Sequence, residues 1–295
     1  MDLRSTLEGA NRGPRDPTFR RDGNRFWRAE RNRLGPSLWC VEPASEDRHV
    51  RVRAWGAGAA EAIARAPDLL GLNDQLPDDM SWGHPLVGHL AKKFAGIRMV
   101  RGTPIMDVLV PFILGQRVHV REAVSNYRAL ASAFGGQPPG PTHVTASMAL
   151  PPDPRVLGRQ SPWQLHRFGI ESHRARTVVA ACRASVRMEE AGTMSSADAY
   201  RRLTALPGIG PWTANHVLAR CHGDADAVPV GDYHLPHTVA YALTGQERSD
   251  DAQMLELLEP FRPHRFRIIR WLIAARIQAP RRGPKRGTFY EELKP

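Results

Sequence analysis

Lysine is scarce in this chain. Only Lys92, Lys93, Lys285 and Lys294 occur, and none lies between Lys93 and Lys285. Chemistry that needs an amine side chain as nucleophile has no lysine over that whole stretch. Cysteine is scarcer still. Cys40, Cys182 and Cys221 stand far apart, which excludes a disulfide framework, a four-cysteine zinc site and a four-cysteine iron–sulfur site. No run of about 18 uncharged apolar residues is present, so a membrane-spanning helix is excluded. Residues 1–17 lack the apolar core of a secretory signal. The expectation is a soluble protein of the reducing cytoplasm.

What is abundant is positive charge. The 295 residues carry a formal net charge of +11, with 42% hydrophobic residues, enough for a buried core. Residues 1–35 hold nine arginines against five acids, and residues 261–295 hold eight arginines and two lysines against two glutamates. The middle is close to neutral, so the excess sits at the two ends. Such a balance points to a polyanionic partner, nucleic acid before an anionic membrane surface. The run Arg281-Arg282-Gly283-Pro284-Lys285-Arg286 reads as a solvated tail able to contact phosphates without sequence preference.

Along the chain the character changes. Aromatic and β-branched segments at Asn24–Ala29, Ser37–Val41 and His49–Ala54, set off by Gly, Pro and Asp, predict a small antiparallel sheet. Ala57–Arg65 reads as a short helix, and the turns at Asp74–Asp79 and Gly83–Pro85 close this unit. Helical spacing then dominates: Ile105–Gly115, Val120–Phe134, Ser161–Phe168, Ser172–Ala191, Ser196–Leu206, Gly210–His222, Leu235–Leu243, Asp251–Leu258 and His264–Arg276. Pro138–Pro154, with six prolines, reads as a loop. The fold class expected is α+β, with residues 1–88 a small antiparallel sheet with helices and residues 89–295 mostly helical.

The most informative stretch is Leu206-Pro207-Gly208-Ile209-Gly210-Pro211-Trp212-Thr213-Ala214. A Gly-x-Gly turn joins helices Ser196–Leu206 and Gly210–His222. Its glycines allow a tight turn and close approach of another backbone. The free N–H groups and positive dipole end of the second helix make an anion site. Such a turn alone is also an ordinary helix connection. Further on stands Pro229-Val230-Gly231-Asp232-Tyr233-His234-Leu235, where Asp232 reads either as a functional carboxylate or as the cap of the next helix.

Together these segments resemble the helix-hairpin-helix, Gly-Pro-rich, Asp (HhH-GPD) superfamily of DNA glycosylases, closest to the bacterial 3-methyladenine DNA glycosylase II (AlkA-type) group. Phe112-Ile113-Leu114-Gly115-Gln116, Phe168-Gly169-Ile170 with Arg174-Ala175-Arg176, Gly208–Asn215 and Glu259–Arg265 each match that group's motifs. The resemblance covers about residues 90–280, and Val52–Leu72 matches less distinctively. It implies a two-lobed helical region and an enzyme that everts and excises alkylated purines from damaged double-stranded DNA; a monomer is expected because nothing suggests a seam for self-association, in the cytoplasm at the nucleoid. It assigns Asp232 as the catalytic carboxylate. Trp212, His216, Tyr233, His234 and Trp271 become the base pocket. Gln116, Arg117, Gly208, Ile209, Gly210 and Thr213 become the DNA contacts.

His216 and His234 depart from the family's Tyr and aliphatic residue. Arg117 stands where relatives place an aliphatic wedge, so it either fills the gap left by the base or contacts phosphate. Trp212 stands where bifunctional relatives keep their lysine, which implies hydrolysis without a lyase step. No cofactor or iron–sulfur cluster is implied, only a Na+ or K+ on the backbone carbonyls of Thr204, Leu206 and Ile209. Two alternatives stay open: a glycosylase for deaminated or oxidised bases, and a catalytically silent DNA-damage-binding protein.

Overall fold

The computed structural model describes residues 1–8, 13, 15–44, 49–77 and 82–280. The basic run 281–286 lies outside them. After helix α1 (Leu3–Glu8), strands β1 (Phe19–Asp22), β2 (Arg25–Asn32), β3 (Gly35–Pro43) and β4 (Val50–Trp55) form one antiparallel sheet in chain order. The expected sheet is present, with β1 added to it. The β1–β2 turn is two residues long, Gly23 with φ +58° and Asn24, and places Asp22 opposite Arg25. Left-handed backbone there suits glycine and matches the twist of the strands.

Both faces of the sheet are covered, so β2 and β3 are buried almost throughout rather than alternating. Phe26, Trp39 and Val41 pack with Leu7, Leu69, Leu70 and Ala62. Ala62 belongs to helix α2 (Ala59–Ala64) and Leu69 to α3 (Ala66–Leu69). On the other face Trp27, Ala29, Leu38 and Cys40 pack with Val144, Met148 and Leu150. Those three come from the proline-rich segment, which is not a free loop: it forms the short helices α7 (Thr142–Thr145) and α8 (Pro154–Leu157) and lids the sheet. The expected boundary at 88/89 also needs correction, because it falls inside helix α4 (Pro85–Lys93).

Polar contacts join the sheet side to the helices, and others brace the helices among themselves. Asp74 meets Arg267 in a sealed ion pair at 2.6 Å. Glu189 accepts the N–H groups of Ile105 and Met106 at 3.0 and 2.8 Å, capping helix α5 (Ile105–Leu114). A carboxylate at a helix N-terminus is favoured by the free donors and the dipole. Helix α5 is apolar nearly all round and runs through the main core. Around it lie α6 (Val120–Phe134), a 3-10 segment Pro162–Phe168, α9 (Ser172–Arg183), α10 (Ser185–Glu189), α11 (Ser196–Thr204), α12 (Pro211–Cys221), α13 (Leu235–Thr244), α14 (Asp251–Leu258) and α15 (Arg265–Ala274). The single helix expected over Ser172–Ala191 is broken at Ala184 (φ −91°, ψ 12°), one residue after the Arg183 guanidinium is drawn onto the Gly158 carbonyl at 2.9 Å.

Candidate active site

Helices α11 and α12 meet at the turn 205–210. Gly208 is exposed with φ +90°, and a Cβ there would stand 2.2 Å from the Thr177 hydroxyl of α9. Only glycine suits both the angle and the contact. Ile209 is the turn's anchor, 4% exposed in the core. Its N–H goes to the Leu206 carbonyl at 3.1 Å. The Gly208 and Gly210 N–H groups bond to no other described residue. Pro211 starts α12, where a missing N–H is harmless.

The turn is braced from α5. Gln116, just beyond its end, donates from Nε2 to the Gly208 carbonyl at 2.9 Å and to the Thr213 hydroxyl at 3.0 Å. Arg174, 1% exposed, donates to the Leu114 carbonyl and pairs with Glu122, both within 2.9 Å, and so fixes the same corner. Thr213 is 1% exposed, so its side chain braces the hairpin from inside, which corrects its expected contact; half-buried Gln116 braces the turn through Nε2. Arg117, next in the chain, is exposed and has φ +59°. A non-glycine residue in that region is uncommon.

Asp232 lies on the loop before α13 and is half-buried. Its Oδ1 accepts the N–H groups of His234 (2.8 Å) and Leu235 (3.0 Å). Its Oδ2 accepts the Trp212 indole N–H at 2.9 Å. Asp232 therefore does cap α13, and the same carboxylate is tied by its other oxygen to the first turn of α12. Gly231 (φ +92°) lets the chain bend here, and its N–H goes to Asp251 at 3.0 Å.

Beside this carboxylate is a wall of rings. Trp212 and His216, one turn apart on α12, meet edge to face at 4.8 Å. His216 lies flat on Phe112 of α5 at 4.4 Å, and Phe112 meets Trp212 at 5.6 Å. Phe266 of α15 faces His216 at 6.4 Å. Arg220, a further turn along α12, holds its guanidinium 4.7 Å from the Phe112 centroid and donates to His216 Nδ1 at 3.0 Å. Burial, and then the Arg220 charge, hold the His216 imidazole well below its ordinary pKa.

Of the expected pocket residues, Trp212 and His216 join Asp232. Tyr233 is 76% exposed and turns its ring toward His234 and His237 at 4.9 and 6.2 Å. His234 is exposed as well. Trp271 is a correction. Its ring is fully buried and packs edge-on against Trp82 at 5.5 Å, so it has no open face to offer a base. Phe112, Arg220 and Phe266 were not anticipated as site residues. Trp212, His216 and Arg220 are spaced four apart on a predicted helix, and that one-face signal was available.

For a cation, the carbonyls of Thr204, Leu206 and Ile209 form an all-oxygen, uncharged set in one turn. The Leu206 carbonyl already accepts one hydrogen bond, and the Thr204 hydroxyl is turned back to the Tyr200 carbonyl at 2.8 Å. Carbonyl oxygens with a lone pair left suit a hard, weakly held ion. No cluster of His, Cys, Asp or Glu with metal-binding arrangement is present among the described residues, and no described helix is long and apolar enough to cross a membrane.

No family model matches the chain. It is 27% identical over 195 residues to a DNA-3-methyladenine glycosylase of Bacillus subtilis, covering 64% of this chain and 63% of that protein. Over 146 residues it is 30% identical to a probable bifunctional transcriptional activator/DNA repair enzyme AlkA of Mycobacterium tuberculosis, covering 48% of this chain and 28% of the relative. The matches thus span under two thirds of each relative's length. Among solved structures, a 3-methyladenine DNA-glycosylase from Archaeoglobus fulgidus superposes with a TM-score of 0.75 at 18% identity, over 94% of this chain and 95% of that one. An 8-oxoguanine glycosylase/lyase of Clostridium acetobutylicum in complex with double-stranded DNA gives 0.69 at 14% identity, over 94% and 92%. The fold is the one these structures share.

Proposed function

We propose that this chain is an AlkA-type DNA glycosylase of the HhH-GPD superfamily and excises alkylated purines from duplex DNA by hydrolysis. The observation that carries this reading is the double tie on Asp232, to the start of α13 and to Trp212 at the start of α12. It keeps a carboxylate at a constant distance from the exposed N–H groups of Gly208 and Gly210.

Those N–H groups and the N-terminus of α12 grip a backbone phosphate. Affinity of this kind carries no sequence preference, which suits an enzyme that must search. Everting a nucleotide costs a few kcal/mol, least at a damaged base. Arg117, exposed beside the braced turn, fills the gap or holds the flanking phosphate. The base lies against Trp212 and His216, with Tyr233 and His234 at the mouth. As the C1′–N bond breaks, positive charge builds on the sugar, and the Asp232 carboxylate stabilises it. Water adds to C1′, the base leaves with the bonding pair, and Asp232 or solvent takes the water's proton. With tryptophan at position 212 and no lysine from 94 to 284, no lysine-derived Schiff base forms and the strand stays intact. A Na+ or K+ on the hairpin carbonyls would stiffen the turn.

The test is chromatography of bases released from methylated duplex DNA. Free 3-methyladenine or 7-methylguanine is expected; release of neither, with DNA still bound, would overturn this reading in favour of another lesion or of silent damage binding.

A further inference from the structure

Gly231 stands just before the reacting carboxylate, and packing does not hold it. It is exposed with φ +92°, and a Cβ built there would meet only Trp212 Cβ, at 3.8 Å. Glycine takes positive φ about as readily as negative, so neither its own sterics nor its neighbours fix this angle. A hydrogen bond does. The Gly231 N–H donates to Asp251 Oδ2 at 3.0 Å.

Asp251 is the first residue of α14, but it is not the cap of that helix. Asp250 fills that role and accepts the Gln253 N–H at 2.9 Å. A first-turn acid needs only an exposed carboxylate to benefit from the helix dipole. The Asp251 carboxylate is instead partly buried. Its Oδ1 is sealed from solvent with no partner, and its Oδ2 bonds Gly231 alone among the described residues. A backbone N–H bonded to an ionised carboxylate makes a hydrogen bond of the stronger kind. The Asp232 side chain is thus held by the starts of α12 and α13, and the backbone one residue earlier is held by the start of α14.

We infer that Asp251 is a positioning residue: by fixing the Gly231 angle it sets the direction in which Asp232 leaves the chain, and so the carboxylate's approach to the sugar. This rests on the glycosylase reading of Asp232 and adds a third helix to those that aim it. Were Gly231 to turn to negative φ, the Cα–Cβ direction of Asp232 would swing, and the bond to Trp212 would stretch or break. A tether that served stability alone would have no such selective link to the reacting group.

Two measurements test this. The first is release of 3-methyladenine from methylated duplex by Asp251→Ala, measured as kcat and KM, with affinity for undamaged duplex on the same sample. kcat should fall about ten- to a hundredfold, while KM and affinity stay within about twofold. Asp251→Asn keeps an acceptor oxygen on the same stem and should recover kcat to within about fivefold of wild type. A wild-type kcat in Asp251→Ala, a loss shared in proportion with DNA affinity, or no recovery in Asp251→Asn overturns the inference and leaves the glycosylase reading intact. A wild type that releases no base overturns that reading and the inference with it.

The second measurement does not depend on activity. In amide hydrogen exchange the Gly231 N–H, although on an exposed residue, should exchange at least about tenfold more slowly than an open glycine, and Asp251→Ala should restore the open rate. A wild-type Gly231 amide that exchanges at the open rate overturns the inference even if Asp251→Ala fails to fold.

Discussion

Replacing Gly208 by alanine tests whether the hairpin's shape is as tightly specified as its contacts imply. Alanine at φ +90° must adopt a left-handed conformation, which costs roughly 1–2 kcal/mol. The new Cβ would lie 2.2 Å from Thr177 Oγ1, 2.9 Å from its Cγ2 and 3.1 Å from its Cβ. Thr177 cannot easily turn away. It is β-branched and in mid-helix, 4% exposed, and its hydroxyl is bonded to the His173 carbonyl at 3.1 Å. The turn must shift instead, and overpacking of this kind costs about 1–3 kcal/mol more. The sum is about 2–5 kcal/mol, or roughly 4–20 °C in Tm for a chain of this size. Adding Thr177→Ala removes Oγ1 and Cγ2, so the double variant should recover the overpacking part and keep the backbone part. The assay is urea denaturation of wild type, both single variants and the double, with DNA affinity measured on the same samples. A Gly208→Ala protein within about 0.5 kcal/mol of wild type, or a double-mutant cycle with no coupling, would refute the reasoning.

Asp232→Asn removes a charge about 4 Å from the sugar, worth about 4 kcal/mol at an effective dielectric near 20, so base release should fall about a thousandfold while DNA affinity changes only a few fold; unchanged turnover would remove Asp232 from the mechanism. Borohydride should trap no covalent complex with DNA, and efficient trapping would reveal an amine nucleophile that the lysine distribution does not provide. Asp107 is fully buried, and burial, then Glu30 and Glu189, push its carboxyl up to about 8 despite the Arg31 backbone N–H and the Arg28 charge. The folded state thus holds its proton more tightly than the unfolded chain, so the stability Asp107 contributes is full below about pH 4 and is lost as pH rises toward about 8. Urea midpoints should fall between pH 5.5 and 8.5, and Asp107→Asn should flatten that slope; an equal slope in the variant would count against the assignment.

The legible parts of the molecule were those written in local pattern. The strands, the hairpin and most helices follow from spacing, and Asp232 follows from its place in a recognisable motif. What escaped was set by tertiary contact. Val144, Met148 and Leu150 lie in a proline-rich stretch that reads as loop, yet they cover one face of the sheet, because an apolar face needs a partner whatever its local conformation. Trp271 has the right residue type for a pocket, but aromatic identity does not say whether a ring faces a cleft or Trp82. Gln116 and Thr213 carry polar side chains near the turn, and only the packed structure shows them bonded to each other. Asp74 reads as part of a turn cluster, while its pairing with Arg267 bridges 193 residues of sequence.

The two halves of the site are mechanically one piece, and this bears on how the enzyme would pull. Gln116 fixes the Gly208 carbonyl to the end of α5. Thr213 is bonded to the same side chain and is the neighbour of Trp212, whose indole holds Asp232. Phe112, from the last turn of α5, packs against both Trp212 and His216. The hairpin turn and the Asp232 carboxylate therefore cannot move independently by more than side-chain adjustment. On the proposed function, a strand held at the hairpin would present its adjacent sugar at a set distance from Asp232, and binding energy at the phosphate would be converted into position at the reacting carbon. It follows that loosening the brace, as in Gln116→Ala, should lower kcat with little change in KM for short duplexes. A loss confined to KM would mean that the brace serves binding alone and that the carboxylate is positioned by α13.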